Sequence, residues 1–438
     1  MKNARSIAPM MSAIAALSVA FASTTVFAPP VYAVSDPFYS YRDSLSLAEV
    51  EPGTVLDSRT TTYHLVGIPT PITAVQLLYR TTDARYRPSA NVTSILIPPG
   101  GVDPTRAVAY QSFYDSLDPE HGPSRSIAGD VSFGGMVLTS EATVIADILA
   151  RGYTVIIADT EGQQANFAAG PEYGMNTLDS IRAAVRSEAT GLTAQTRIGL
   201  VGYSGGAIAT DWAAALAPEY APEVNANLVG ATQGGLLVDP AHNLRYVSGS
   251  VGWSGVAAMA IIGVARSYDI DFSTYLSPYG AQVVAALRSA SIANVLFQYP
   301  GLSWQQMVKP EYLDPNTVVP LVEVVGKVNL ANAPTPTIPL YIAQGANGVL
   351  EGTDGSRPSV GAGDGVMVAG DVRSLARQYC ADGNPFVEYR QYDELSHIPT
   401  LGVWSVGAVS WIDARFAGES AGSSCGTIPE GNPLTSDL

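Results

Sequence analysis

Residues 196–218 read Thr-Arg-Ile-Gly-Leu-Val-Gly-Tyr-Ser-Gly-Gly-Ala-Ile-Ala-Thr-Asp-Trp-Ala-Ala-Ala-Leu-Ala-Pro. The apolar run 198–201 is typical of a buried strand, and the Ala-rich segment has a high helix propensity that ends at Pro218. This pattern predicts a strand, a tight turn and a helix. Glycines flank the serine because a Cβ there would clash with the neighbouring strand or helix. The turn lifts its serine above the carboxyl end of a sheet, and we identify Ser204 as a candidate nucleophile.

The same Gly-x-Ser-x-Gly pattern occurs a second time at 418–422, so the pattern alone is a weak signal. The second copy follows a helical segment (403–416) rather than a strand. The chain has four histidines, His64, His121, His242 and His397. All of them precede the second copy. In folds that carry a nucleophilic serine on a strand–turn–helix, the catalytic serine comes first in the chain, then the acid, then the histidine. We therefore interpret Ser420 as a solvated loop residue. A serine without chemistry is the alternative for Ser204.

The chain opens with the pattern of a cleavable export signal, predicted over residues 1–33. Its start carries two positive charges, residues 10–27 are apolar, and Val-Tyr-Ala at 31–33 has the form that a signal peptidase accepts. We expect the mature protein to begin at Val34. An uncleaved membrane anchor is the alternative reading of this segment.

The composition of the chain is that of a globular protein with a large core, since 47% of its residues are hydrophobic. The net charge is −16, or about −18 without the signal. Such an acidic surface argues against nucleic acid and against attachment to anionic membranes. Cys380 and Cys425 lie in the exported part, where we expect one disulfide; two free thiols are the alternative.

Strands and helices alternate along most of residues 34–438. Residues 34–87 are predicted to form an irregular arm with some strands. Strands are predicted at 60–66, 75–81, 92–98, 107–111, 153–158, 198–201, 226–235, 337–343 and 387–392. Helices are predicted at 140–150, 177–186, 371–380 and 403–416. Short connections between the alternating elements imply a mainly parallel sheet that helices cover on both faces.

Residues 239–329 interrupt this alternation because they are largely helical in composition. Helices are predicted at 256–266 and 280–297, and we interpret the whole segment as a helical cap over the strand ends. Met259, Ile261 and Ile262 are candidates for an acyl pocket. Ordinary helix packing is the alternative reading of their spacing.

A serine hydroxyl is a poor nucleophile at neutral pH, so it needs a base, and the base needs a carboxylate. Only His242 and His397 lie downstream of Ser204. His397 directly follows a late strand, and we assign it as the general base. We interpret His242, at the edge of the predicted cap, as a surface or hydrogen-bonded structural residue.

The acid should lie in the loop after the strand at 337–343. That loop contains four carboxylates, Glu351, Asp354, Asp364 and Asp371. We favour Asp364 over Asp354 because apolar residues and then a helix follow it. The positions nearest the strand end hold Asn347 and Gly348 instead of an acid. Calcium binding is an alternative use of these carboxylates, but no ligand spacing supports it.

An oxyanion hole needs backbone N–H groups that point at the developing negative charge. Gly205 supplies one such group because it follows the nucleophile on the turn. The second should come from an earlier strand-end loop, for which the Tyr114-Asp115 loop is the best candidate.

These motifs resemble those of the secretory lipase family of fungi and actinobacteria, the type of Candida antarctica lipase A. The resemblance rests on Gly202-Tyr203-Ser204-Gly205-Gly206-Ala207, the segment 110–116, the segment 159–162, the Tyr379-Cys380 helix end and the His397 loop. It implies an α/β-hydrolase fold with a helical cap, a Ser-Asp-His triad, and cleavage of triacylglycerols and other carboxylic esters.

The resemblance also implies that Asp115 and Gly205 form the oxyanion hole and that Cys380 pairs with Cys425. The long loop between Gly345 and Asp364 departs from the family pattern, which keeps Asp354 open as the triad acid.

We therefore predict a secreted esterase or lipase, a monomer that needs no cofactor or metal. It would use Ser204, Asp364 and His397 on lipid or ester substrates, with transient contact with lipid surfaces. Two alternatives remain. One is an acyltransferase of the cell envelope that uses the same triad. The other is a catalytically silent hydrolase-fold protein that binds lipid or peptidoglycan.

Overall fold

The computed structural model describes residues 36–353, 355–358, 360–434 and 438. The predicted export signal and Asp354 lie outside the described residues. The predictions about them are therefore not addressed by the fold.

A nine-stranded sheet lies at the centre of the fold, in the order β1-β2-β3-β5-β4-β6-β7-β8-β11. Its strands are β1 (Val55–Leu65), β2 (Ile68–Thr82), β3 (Pro88–Leu96), β4 (Arg106–Gln111), β5 (Thr154–Ala158), β6 (Arg197–Tyr203), β7 (Leu228–Gly234), β8 (Leu340–Gly345) and β11 (Val387–Tyr392). Strands β9 (Ser356–Arg357) and β10 (Gly361–Ala362) form a separate small hairpin. In the large sheet, six strands run parallel to one another: β4, β5, β6, β7, β8 and β11. Strands β1, β2 and β3 join them at one edge through antiparallel pairs.

Helices cover both faces of this sheet, as predicted. The described helices of the whole fold are α1 (Pro123–Ala128), α2 (Val137–Ser140), α3 (Ala142–Ala150), α4 (Gly170–Arg186), α5 (Gly205–Tyr220), α6 (Pro222–Asn225), α7 (Pro240–Val247), α8 (Ser254–Ser267), α9 (Pro278–Leu287), α10 (Ile292–Val295), α11 (Trp304–Met307), α12 (Val319–Lys327), α13 (Ala369–Ala381) and α14 (His397–Phe416). None of the described helices is both long and apolar enough to cross a membrane.

Two apolar cores separate the sheet from its helices. Helices α4, α5 and α13 contribute to the core on one face, and α3 and α14 contribute to the core on the other. Every residue of β5 is buried. A parallel strand that is covered on both faces is apolar along nearly its whole length, so β5 has the sequence Thr-Val-Ile-Ile-Ala rather than an alternation of polar and apolar residues.

A third apolar cluster holds helices α7 to α12 together. The single helix predicted at 280–297 is wrong, because the chain forms α9 and α10 with a break between them. Ser291 and Asn294 explain the break. The Asn294 side chain accepts hydrogen bonds from the backbone N–H and the hydroxyl of Ser291. This capping arrangement starts a new helix.

Two further predictions need correction. The predicted irregular arm at 34–87 contains β1 and β2, which overlap the two strands predicted there and form one long hairpin that belongs to the central sheet. The last nine residues of β2 are buried, since α4 packs on them. Pro218 does not end the serine helix, which continues to Tyr220. Proline removes one backbone donor, but the next turn still closes through the hydrogen bond from Ala221 N–H to the Ala217 carbonyl.

Candidate active site

Ser204 lies on the tight turn between β6 and α5. Its backbone has φ 55° and ψ −120°, a conformation that residues with a Cβ rarely adopt. Its N–H donates to the Gly234 carbonyl at 2.8 Å. A Cβ at Gly202 would lie 2.2 Å from the carbonyl oxygen of Gly206, and a Cβ at Gly206 would lie 2.0 Å from that of Gln111. Both positions therefore require glycine, because fixed backbone atoms leave no room for a side chain.

His397, the first residue of α14, directs its imidazole at the serine. Its Nε2 lies 2.8 Å from Oγ of Ser204, and its Nδ1 lies 2.7 Å from Oδ2 of Asp364. The Tyr203 hydroxyl donates to the backbone carbonyl of His397 at 2.6 Å. The structure thus brings Ser204, His397 and Asp364 into one chain of hydrogen bonds.

Asp364 is fully buried and has donors on both carboxylate oxygens. Oδ1 accepts from the backbone N–H groups of Val366 and Met367 at 3.1 and 2.8 Å. Oδ2 accepts from the Gln344 amide at 2.9 Å in addition to His397. These donors hold the carboxylate in one orientation.

The other described carboxylates of this loop have different partners. Asp371 lies 2.8 Å from Nδ1 of His242. Glu351 accepts from the Trp253 indole and from the backbone N–H of Ile398. Of the described candidates, only Asp364 hydrogen bonds with the imidazole of His397.

Asp364 determines which nitrogen of His397 carries the proton. A carboxylate only accepts hydrogen bonds, so Nδ1 must donate to it and Nε2 is free to accept from the Ser204 hydroxyl. Burial lowers the pKa of His397, but the charge and hydrogen bond of Asp364, together with the negative charges that Glu351 and Asp115 carry when ionised, outweigh it. The pKa of His397 is therefore above its usual value.

Asp115 lies beside the first turn of the serine helix. A Cβ at Gly205 would lie 1.8 Å from Oδ1 of Asp115, so the carboxyl group packs directly on this glycine. Both residues line the same cavity as Ser204. Burial, with the charge of Glu141, raises the pKa of Asp115 to about 8. At neutral pH the Asp115 carboxyl is therefore mostly protonated and uncharged.

Glu141 was not identified from the sequence, although it supports the Asp115 loop. Its buried carboxyl accepts hydrogen bonds from the Tyr110 and Ser112 hydroxyls and from the backbone N–H of Phe113. Burial raises the pKa of Glu141 to about 7. It lies between α2 and α3, far along the chain from this loop and in no motif, so no local signal could have revealed it.

An apolar cavity of about 110 Å³ opens beside Ser204. Its lining includes Ile208, Val256, Ile261 and Leu321, which belong to α5 and the helices at 240–327. Of the three residues predicted for an acyl pocket, Ile261 lines this cavity. Ile262 lines a second apolar cavity, of about 290 Å³, within the same helical segment. Met259 is fully buried in the helix packing instead.

The remaining predicted residues lie away from this cavity. Ser420 is exposed in the segment after α14, as predicted. Cys380 and Cys425 form a disulfide with their Cα atoms 5.6 Å apart, which confirms the predicted pairing. Within the described ranges, no group of three or more His, Cys, Asp or Glu side chains is arranged to hold a metal ion.

Comparisons with known proteins agree with the resemblance. A family model described as secretory lipase matches residues 129–424, a range that includes Ser204, Asp364 and His397. Lipase 10 of Candida albicans is 31% identical over 96% of this chain and 89% of its own length. A Mycobacterium tuberculosis protein named "Probable inactive lipase" is 29% identical over 89% of this chain and 84% of its own length.

The fold comparison gives the same result. The X-ray structure of Candida antarctica lipase A in its closed state matches with a TM-score of 0.78 and 25% identity, over 92% of this chain and 91% of that chain. Together with the mainly parallel sheet and its covering helices, this match confirms the predicted α/β-hydrolase fold. The chain is a member of the secretory lipase family.

Proposed function

We propose that this protein is a serine hydrolase that cleaves carboxylic esters, with triacylglycerols as its substrate class, through an acyl-enzyme on Ser204. The observation that carries the proposal is the unbroken hydrogen-bond chain from Ser204 Oγ through His397 to Asp364, at the mouth of an apolar cavity. Family membership supports ester hydrolysis as the reaction.

The first step forms the acyl-enzyme. Ser204 Oγ attacks the carbonyl carbon of the ester while His397 Nε2 takes the hydroxyl proton. The carbonyl oxygen becomes negative in the tetrahedral intermediate. The intermediate collapses, the C–O bond to the alcohol breaks, and the alcohol leaves with the proton from His397. Asp364 stabilises the imidazolium ion that exists between these two proton transfers.

The second step releases the acid. Water donates a proton to His397 Nε2 as its oxygen attacks the acyl carbon, and Ser204 recovers the proton when the acyl–Oγ bond breaks. We assign the backbone N–H groups of Gly205 and Asp115 to the oxyanion in both steps. The neutral Asp115 carboxyl fits this role, because an ionised carboxylate at this place would repel the developing charge.

The lining of the cavity supports an apolar acyl group as the part of the substrate that it holds. Helices α8 and α12 supply much of this wall, including Val256, Ile261 and Leu321. We therefore propose that residues 239–329 act as the cap of the enzyme.

We also propose that the protein is exported, with cleavage after Ala33. The family name and the pattern of residues 1–33 support export. The N-terminal sequence of protein purified from the culture medium tests this point. Val34 is expected as the first residue, and an intact N-terminus on membrane-bound protein would contradict it.

Hydrolysis of p-nitrophenyl esters from acetate to palmitate tests the proposed activity. The wild type should hydrolyse them, and Ser204→Ala should lose activity by about 10,000-fold or more. Ser420→Ala is the matched control, because it changes the other Gly-x-Ser-x-Gly serine and should keep wild-type activity. If the wild type hydrolyses no ester, or if Ser204→Ala is as active as the wild type, the proposal fails.

Product analysis separates a hydrolase from an acyltransferase. With a glycerol or sugar acceptor present, the hydrolase releases mainly free acid. Predominant transfer of the acyl group to the acceptor would instead identify an acyltransferase that uses the same serine.

A further inference from the structure

Glu351 is a buried carboxylate beside the candidate site for which the proposed reaction so far has no use. Its side chain is 3% exposed. Oε1 accepts a hydrogen bond from the backbone N–H of Ile398 at 2.7 Å, and Oε2 accepts one from Nε1 of Trp253 at 3.0 Å. One carboxylate therefore joins two elements that both contact His397.

The first of these elements is the start of α14. Ile398 directly follows His397, and the N–H groups of the first turn of a helix have no partner inside the helix. A carboxylate at this end satisfies one of them and interacts favourably with the positive end of the helix dipole. Glu351 thus fixes the backbone from which the His397 imidazole projects. Asp364 fixes the same backbone from the other side, since its carbonyl accepts from the His397 N–H at 2.7 Å.

The second element is the Trp253 ring. It meets the His397 imidazole edge to face, with ring centroids 5.3 Å apart and an interplanar angle of 81°. Tyr203 packs on the imidazole with a centroid distance of 5.1 Å. Trp253 also lines the cavity that contains Ser204. By holding the indole N–H, Glu351 fixes one of the two rings that restrict rotation of the imidazole.

Space around this carboxylate is limited. A Cβ at Gly365 would lie 3.2 Å from Oε2 of Glu351 and 3.2 Å from Nε1 of Trp253. The loop that carries Asp364 therefore packs against the same hydrogen bond. Asp364, Glu351 and Trp253 surround His397 as one packed unit.

We propose that Glu351 is a positioning residue for His397, which ties the start of α14 to Trp253 and adds a second negative charge beside the imidazolium that forms during the reaction. This inference rests on the proposed function, in which His397 is the base. Glu351 is not itself among the residues that line the cavity, and its described hydrogen bonds go to Ile398 and Trp253, so its effect acts through the backbone and the ring that hold the histidine.

The charges around this unit support the electrostatic part. The acidic groups that act on His397 are Asp364, Glu351 and Asp115, and each raises the pKa of the imidazole. Burial raises the pKa of Glu351, and the charge of His397 lowers it again. Ionised Glu351 and protonated His397 therefore favour each other, so removal of the Glu351 charge should make the imidazole easier to deprotonate.

Glu351→Gln is the direct test because it keeps the shape of the side chain. It removes the charge and presents an amide N–H₂ to one of the two donors. With p-nitrophenyl butyrate as a soluble substrate, kcat should fall by about 10- to 100-fold with KM changed less than about 2-fold. The acidic limb of the kcat/KM profile should also move to lower pH.

Glu172→Gln is the matched control. Glu172 is also a buried glutamate whose carboxyl accepts from a backbone N–H and from polar side chains, at Ala84, Asn166 and Ser267. It is not among the groups that act on His397. This variant should keep the wild-type kcat and the wild-type acidic limb.

Trp253→Phe keeps the inference testable if Glu351→Gln does not fold. It removes the indole N–H and keeps a ring against the imidazole, so kcat should fall while the acidic limb stays in place.

The inference is wrong if Glu351→Gln keeps the kcat of Glu172→Gln, or loses kcat without a shift of the limb. It is also wrong if a folded Trp253→Phe has wild-type kcat. A wild type without Ser204-dependent hydrolysis would instead overturn the proposed function itself.

Discussion

The described part of the chain contains two buried histidine–aspartate pairs with nearly the same hydrogen-bond distance. His397 Nδ1 lies 2.7 Å from Asp364, and His242 Nδ1 lies 2.8 Å from Asp371. The two histidines are 3% and 4% exposed, and the pKa of each is raised. By distance, burial and pKa direction, either pair could be the base and acid of a triad.

The pairs differ in what meets the second nitrogen of the histidine. Nε2 of His397 lies 2.8 Å from the Ser204 hydroxyl, which the tight turn after β6 presents beside an apolar cavity. In the described part of the chain, Nε2 of His242 meets no serine hydroxyl. The Asp371 carboxylate of this pair also accepts a hydrogen bond from the Asn432 side chain of the C-terminal tail. A histidine–aspartate pair becomes a candidate catalytic site only where a strained serine and a cavity face it.

The largest expected effect comes from matched changes of the two acids. Asp364→Asn should lower kcat/KM on p-nitrophenyl butyrate by about 1,000- to 10,000-fold, because the histidine loses the group that sets its tautomer. Asp371→Asn should keep kcat/KM within about 3-fold of the wild type, since the side-chain partners of Asp371 are His242 and Asn432 rather than His397 or Ser204. Equal losses in the two variants would remove the distinction between the pairs.

The pH dependence of kcat/KM tests the protonation states of His397 and Asp115. Because catalysis needs neutral His397, kcat/KM should rise about tenfold per pH unit up to the raised pKa of this histidine. It should fall again above about pH 8, where Asp115 ionises beside the oxyanion. Measured from pH 5 to 10, Asp115→Asn should lose the alkaline fall. If kcat/KM of this variant still falls above pH 8, ionisation of Asp115 is not the cause of the fall.

The second pair should affect stability rather than rate. The hydrogen bond with Asp371 raises the pKa of His242. A raised histidine pKa stabilises the fold fully below the unfolded-state pKa, and this contribution is lost as the pH rises through the folded-state pKa. His242→Gln should therefore lower the free energy of unfolding by about 1–3 kcal/mol at pH 6 and by less at pH 9.

Urea denaturation at both pH values measures this difference, and ester hydrolysis at 25 °C serves as the control. A structural role for His242 would be contradicted if His242→Gln had the wild-type free energy of unfolding at pH 6. A large loss of kcat in the folded variant would contradict it as well.

The smallest effect is expected at Ser420, the serine of the second Gly-x-Ser-x-Gly copy. Its carbonyl accepts from Arg415, and its side chain lies in an exposed segment without a histidine beside it. Ser420→Ala should change kcat/KM by less than about 2-fold and the free energy of unfolding by less than about 0.5 kcal/mol. A larger loss of activity would show that the motif outside its strand–turn–helix context still matters.

The serine turn could be predicted from the sequence because its requirements are local. Gly202 and Gly206 have no room for a Cβ, and the strand and helix follow each other without insertion. His397 could be chosen by chain order and by its place after a late strand. These features need no knowledge of distant contacts.

The choice among the candidate acids could not be made from local sequence alone. The long loop after β8 contains several carboxylates at irregular spacing, and only its folded path places Asp364 under His397. The N–H groups of Val366 and Met367 and the Gln344 amide then fix that carboxylate. Glu351, in the same loop, could be named as a candidate acid, but its contact with Trp253 depends on packing between distant segments.

The same distinction explains the errors in the fold. The strands predicted at 60–66 and 75–81 overlap β1 and β2, but the sequence did not show that they form one hairpin of the central sheet, because that depends on pairing with β3 and on cover by α4. The break between α9 and α10 has a local cause in the Ser291 cap, which the apolar pattern at 280–297 concealed.

Labelling with a fluorophosphonate followed by peptide mass spectrometry tests whether Ser204 is the activated nucleophile. The reagent reacts with serines that a neighbouring base activates, so it should add one phosphonyl group per chain. We expect this group on Ser204, and folded Ser204→Ala should take up none. A folded wild type that stays unlabelled, or a label on Ser420 or another serine, would contradict this expectation.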